Sequence, residues 1–112
     1  MSGGRSAQRK GREAERELAQ FLRDHGLPDA HPGAALNYGT QPDVIGLPNL
    51  HIECKRHEKL ELARWYEQAQ QDAQRMADGL PAVIFRQNRR PWMICLALSD
   101  YLTMTEARPD GL

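Results

Sequence analysis

Apolar residues recur along this chain in two rhythms. From Arg9 to His25 they return every three or four positions, as Ala14, Leu18, Ala19, Phe21 and Leu22. That spacing predicts an amphipathic helix, closed by Gly26. A second helix is predicted from about Leu60 to Asp78, stopping at Gly79, with Trp65, Ala69, Ala73 and Met76 as its apolar stripe. Elsewhere the apolar positions gather into short, nearly continuous runs: 43–47, 50–55, 81–86 and 92–98. These predict strands. Pro48-Asn49 turns the chain between the first two, and Asn88-Arg89-Arg90-Pro91 between the last two. The Pro- and Gly-bearing stretch 27–41 reads as loop with one short strand at 34–37, and Ser99 is placed to cap a last helix through Met104. Helix, three strands, helix, two strands and a short helix make an α/β domain with a mixed sheet of about five strands flanked by helices.

Composition narrows this picture. Residues 1–8, rich in Gly and Ser, read as a flexible arm, and 9–112 as a single domain. No apolar run approaches the roughly 20 residues of a membrane span, and Met1-Ser2-Gly3-Gly4-Arg5-Ser6 has no apolar core of a secretory leader. Cys54 and Cys95 lie inside apolar runs, as buried free thiols of a reducing compartment do. Fifteen basic residues balance fifteen acidic ones. A nucleic-acid partner therefore has to be met by local patches, and two exist: Arg9, Lys10 and Arg12 near the N-terminus, and Arg89 and Arg90 at a turn, with Arg86 nearby. Both groups can equally be ordinary solubilising charges.

The chemistry concentrates in two adjacent strands. Asp43 opens the first and follows Pro42; Glu53 and Lys55 lie on the second, in Leu50-His51-Ile52-Glu53-Cys54-Lys55. Strand side chains alternate, so Glu53 and Lys55 share a face while Leu50, Ile52 and Cys54 share the other. A hairpin brings Asp43 beside Glu53. Two carboxylates and an amine at one spot suit a hard cation next to a fixed positive charge, a set able to hydrolyse a phosphodiester. On the first helix, at about 100° per residue, Leu18, Ala19 and Leu22 all fall within about 60° of Glu15. Glu13, Glu17, Gln20 and Asp24 fall on the opposite, solvent face. An acid in an apolar arc is costly unless it is paired, metal-bound or at a pocket rim. Gln68, at the edge of the second helix's stripe, is placed to face either the site or water. His51-x2-Cys54 has no second ligand pair at zinc-finger spacing, and His25, His31 and His57 are scattered, so no structural zinc is expected.

Lys10-Gly11-x3-Glu15-Arg16-Glu17-Leu18, Pro42-Asp43, Glu53-Cys54-Lys55 and Trp65-x2-Gln68, in this order and spacing, resemble the PD-(D/E)XK nuclease superfamily. The similarity is greatest to archaeal-type Holliday junction resolvases and their small phage relatives, and Val83 to Trp92 resembles the phage branch. It spans residues 9–104. The resemblance implies a single restriction-endonuclease-like domain in a phage or bacterial cytoplasm. It implies Mg2+, replaceable by Mn2+, held by Asp43, Glu53 and the Cys54 backbone carbonyl, with Glu15 binding or supporting the metal. Lys55 would position the attacking water and stabilise charge on the phosphate, and Gln68 would contact the site. The implied partners are branched or four-way DNA, contacted by Arg9, Lys10, Arg12, Arg89 and Arg90, and a second copy of the chain in a homodimer. Asn37-Tyr38-Gly39-Thr40-Gln41 departs from the Ser-Gly loop usual in these resolvases. A restriction- or repair-type nuclease acting on duplex or single strands is the alternative. A silent DNA-binding module is another, though clustered acids bring a mere phosphate binder no gain.

Overall fold

A computed structural model describes residues 3–33 and 42–105, with side chains from residue 11 onward. Its elements are α1 (Gly3–Asp24), β1 (His31–Pro32), β2 (Val44–Ile45), β3 (Leu50–Arg56), α2 (Leu62–Met76), β4 (Leu80–Arg86), β5 (Met93–Cys95) and α3 (Leu98–Thr105). The strands form one five-stranded sheet in the order β1-β2-β3-β4-β5. Only β3 and β4 run parallel, joined by α2 as a crossover; the other pairs are antiparallel. The expected mixed α/β sheet is therefore present.

Alternation along β3 and β4 sorts the core onto two faces. Leu50, Ile52, Cys54, Ala82 and Ile84 pack with Ala14, Leu18, Ala19 and Leu22 of α1. Val83 and Phe85 pack with Trp65 and Ala69 of α2. The sheet thus lies between the two long helices, and β3 is covered on both sides over most of its length.

Several boundaries differ from those the sequence predicts, each for a local reason. Helix α1 begins at Gly3, so residues 3–8 continue the helix rather than forming an arm. Strand β1 is at His31–Pro32, inside the stretch read as loop, where it pairs with Ile45 and Val44; the strand expected at 34–37 lies outside the described residues. Strand β2 is only two residues long, because the chain turns away at Gly46 (φ 117°), where a Cβ would stand 2.4 Å from the Ala30 Cα. Helix α2 ends two residues before Asp78. Ala77 takes the left-handed conformation and donates its N–H to the Ala73 carbonyl at 2.7 Å. Gly79 is not the helix stop but a close-approach residue: at φ 151°, its missing Cβ would lie 2.8 Å from the Leu50 carbonyl carbon and 2.9 Å from the His51 nitrogen. Strand β5 covers three of the seven residues 92–98, since Leu96 and Ala97 leave the sheet to start α3. Ser99 lies inside α3 and does not cap it; its carbonyl accepts a hydrogen bond from the Thr103 hydroxyl.

Candidate nuclease site

The site is built where β2 stops pairing with β3. Val44 faces Ile52, and beyond that point no strand among the described residues pairs with this edge of β3. Asp43 fills the gap. Its backbone N–H donates to the Ile52 carbonyl at 3.0 Å. Its Oδ2 accepts the Cys54 backbone N–H at 2.8 Å. The carboxylate thus replaces the strand that would otherwise satisfy this amide, and the swap fixes its position against β3.

Glu53 and Lys55 rise from the same face of β3, as alternation requires. Lys55 Nζ lies 3.7 Å from Glu53 Oε1, with side-chain exposures of 22% and 10%. The Asp43 carboxyl is held above its ordinary range, chiefly by burial, against the lowering influence of the Cys54 amide and Lys55. Burial and the charge of Asp43 push Glu53 up to about 7. Glu15, half-buried on α1, is raised to about 7 by burial and by Asp43, with Arg12 and Lys55 acting the other way. The three acids and the lysine therefore occupy one electrostatic neighbourhood. Burial disfavours ionising all three acids at once, and a divalent cation would offset their negative charge.

The Cys54 thiol lies on the opposite, α1-facing side and is pushed far above the usual thiol range by burial and the surrounding carboxylates. It is inert as a nucleophile. Gln68 is exposed on α2. Arg12, Arg89 and Arg90 are exposed, Arg89 at a left-handed turn position with φ 61°. The side chains of Arg9 and Lys10, and all of Thr40, lie outside the described residues. Arg86 is committed elsewhere: it donates to the Arg90 carbonyl at 2.9 Å and pairs closely with Glu17. Glu17 also meets Arg56 at 3.3 Å. Glu17 is thus not a freely solvated acid, as its helical position suggested, but the bridge that ties α1 to β3 and β4.

Sequence reasoning missed two neighbours of Glu53. His51 shares its face of β3 and is 1% exposed. Asp72 stands one helical turn beyond Gln68 on α2 and adds to the charge felt by Glu53. A ring nitrogen of His51 and carboxylate oxygens of Glu53 and Asp72 all lie within 4.8 Å of one another. The signal was present in the i, i+2 spacing of His51 and Glu53 and the i, i+4 spacing of Gln68 and Asp72. It could be read only once α2 was known to cross this face of β3.

Among solved structures, the chain is similar to Hjc from Archaeoglobus fulgidus, a Holliday junction resolvase from an archaeal hyperthermophile. The TM-score is 0.58 at 26% identity, over 78% of this chain and 72% of that one. No curated protein matches the chain. Among the described residues no helix is long and apolar enough to cross a membrane. A family model described as "Phage putative PDDEXK endonuclease" matches residues 6–109. With that match spanning nearly the whole sequence, the chain belongs to the phage PDDEXK endonuclease family.

Proposed function

We propose that this nuclease is a Mg2+-dependent, structure-selective endonuclease that resolves four-way DNA junctions and works as a homodimer. The observation that carries the reading is the latch of Asp43 onto the Cys54 amide, which sets its carboxylate beside Glu53 and Lys55. Raised carboxyls of all-oxygen donor type fit a hard divalent ion, Mg2+ or in its place Mn2+. Asp43, Glu53 and the backbone carbonyl of Cys54 would hold it, supported by Glu15 from α1. When bound, the ion would supply Lewis-acid chemistry to the phosphodiester and its attacking water. Lys55 contributes a fixed ammonium that orients the water and offsets charge building on the phosphate. In-line attack would leave a 5′-phosphate and a 3′-hydroxyl. Arg12, Arg89 and Arg90, which are exposed, would take DNA phosphates along with Arg9 and Lys10; the guanidinium fork is well shaped for that role.

Exposed apolar side chains support the homodimer. Met93 (51% exposed) and Ile94 (49%) lie on the sheet edge, and Leu98 (71%) and Tyr101 (48%) follow on α3. A two-fold dimer sets two sites against a junction of matching symmetry. The test is cleavage of a four-way junction, a fork and a linear duplex, side by side, with Mg2+ and with chelator. Preferential, symmetric nicking of the junction is expected. Equal cutting of all three substrates would replace this reading with a general duplex or single-strand nuclease, and no cutting of any would leave a DNA-binding module.

A further inference from the structure

The environment of His51 points to a use that the Asp43–Glu53–Lys55 set does not account for. The imidazole is buried, and its Nδ1 lies 2.9 and 3.0 Å from the two oxygens of Asp78. An ionised carboxylate only accepts, so Nδ1 carries the proton. Asp78 is itself held in place. The left-handed turn at Ala77 precedes it, and Gly79 follows, pressed against the backbone of Leu50 and His51. The ring is therefore oriented from behind by a carboxylate, the arrangement that fixes the tautomer and aim of metal-binding histidines.

The other nitrogen, Nε2, is buried and has no hydrogen-bond partner among the described residues. In the neutral ring, with the proton on Nδ1, Nε2 is a lone pair. With Nδ1 occupied by Asp78, it is the donor His51 has left to offer, and a ring nitrogen of His51 and oxygens of Glu53 and Asp72 lie within 4.8 Å of one another. A lone pair and two carboxylates side by side repel unless something electron-poor lies between them. Donors around one ion stand somewhat closer than this, given ligand distances of about 2.0–2.2 Å. Asp72 can supply the closure: it is 26% exposed, and its pairing with Arg75 at 3.0 Å is a surface contact of small worth.

We propose that His51, Glu53 and Asp72 form a second divalent-cation site, with Asp78 as the residue that positions its histidine. One imidazole nitrogen with two carboxylates suits borderline ions such as Zn2+ and Co2+, not Mg2+, which prefers oxygen alone. The site shares Glu53 with the nuclease centre. Any influence of its ion on cleavage therefore rests on the proposed function, whereas the binding does not.

Co2+ serves as the probe, because its visible absorption reports nitrogen ligation and coordination number. The titration is made in Asp43→Asn, in which the nuclease pair is broken, and read by absorption and by calorimetry, with circular dichroism to confirm folding. One equivalent is expected to bind, with the spectrum of a nitrogen-containing site, and to resist displacement by excess Mg2+. Adding Asp72→Asn, a partly exposed position where folding is not at stake, is expected to weaken Co2+ by at least about tenfold. Asp78→Asn is expected to weaken it by about 10–100-fold, and His51→Gln to remove the nitrogen signature. Co2+ binding unchanged by Asp72→Asn and His51→Gln would overturn the proposal, as would no binding in the Asp43→Asn protein. Cleavage by the wild type with Mg2+ alone is scored separately. Its absence would overturn the nuclease reading and leave the Co2+ result standing.

Discussion

Removing the carboxylate of Glu53 should make the metal-free protein more stable, although it destroys the site. The Glu53 carboxyl is lifted from 4.5 to about 7 by burial and by Asp43. A group whose folded pKa is raised binds its proton more tightly in the fold than in the unfolded chain. Its ionisation therefore costs nothing below about pH 4.5, costs progressively more between 4.5 and about 7, and costs the full amount above 7. At roughly 1.36 kcal/mol per pKa unit, the full cost has an upper value of about 3 kcal/mol, and coupling to Asp43 trims it to about 2 kcal/mol. Glutamine keeps the shape and never ionises. In chelator at about pH 8, Glu53→Gln should then melt higher than wild type by about 8 °C, taking roughly 4 °C per kcal/mol for a domain of this size. Near pH 4.5 the two should coincide. Mg2+ should raise the melting temperature of the wild type and not that of the variant, since binding to the folded state alone is stabilising. The assay is thermal unfolding by circular dichroism over this pH range. Equal or lower stability of Glu53→Gln at about pH 8 would show that the acids do not strain the fold, and would remove the electrostatic case for a cation there.

Other consequences concern catalysis, binding and assembly. Asp43→Ala and Lys55→Ala should each cut the cleavage rate on the order of thousands-fold while DNA binding by gel shift survives; a fully active variant would sink the site assignment. Glu15→Gln should also lose activity with its fold intact, and Glu13→Gln, exposed on the same helix, should not; equal activity would make Glu15 a rim residue. Glu17→Gln is unsuited as a control, because it breaks the bridge to Arg56 and Arg86 and should lower stability instead. Replacing Arg9, Lys10 and Arg12 together with Ala should weaken binding to all DNA sequences and flatten the slope of log affinity against log salt by about one per lost phosphate contact; an unchanged slope would put the DNA elsewhere. Sedimentation at micromolar concentration should give a dimer that Ile94→Glu converts to monomer, and a wild-type monomer would refute the homodimer.

Short-range periodicity made much of the fold and site legible in the chain. The 3.6-residue rhythm of Ala14, Leu18, Ala19 and Leu22 made α1 and singled out Glu15, and two-residue alternation put Glu53 and Lys55 on one face and Cys54 on the other. Those features depend on residues within one element, where backbone geometry leaves little choice. The convergence of Asp43 with Glu53 was also legible, because a tight turn joins their strands. Three features arise from long-range packing alone. Glu17 looks solvated on a helical wheel, yet Arg56 and Arg86 arrive from β3 and β4 to pair with it. Asp78 reads as the last turn of a helix, but the close approach of Gly79 to β3 ends α2 early and frees that carboxylate for His51. Asp72 reads as one more surface acid, and becomes a neighbour of Glu53 because the parallel β3–α2–β4 crossover lays α2 over that face of the sheet. Each depends on where a distant segment packs. Packing is set by the summed burial of Trp65, Ala69, Val83 and Phe85, a long-range sum that no local spacing of Asp72 or Asp78 encodes.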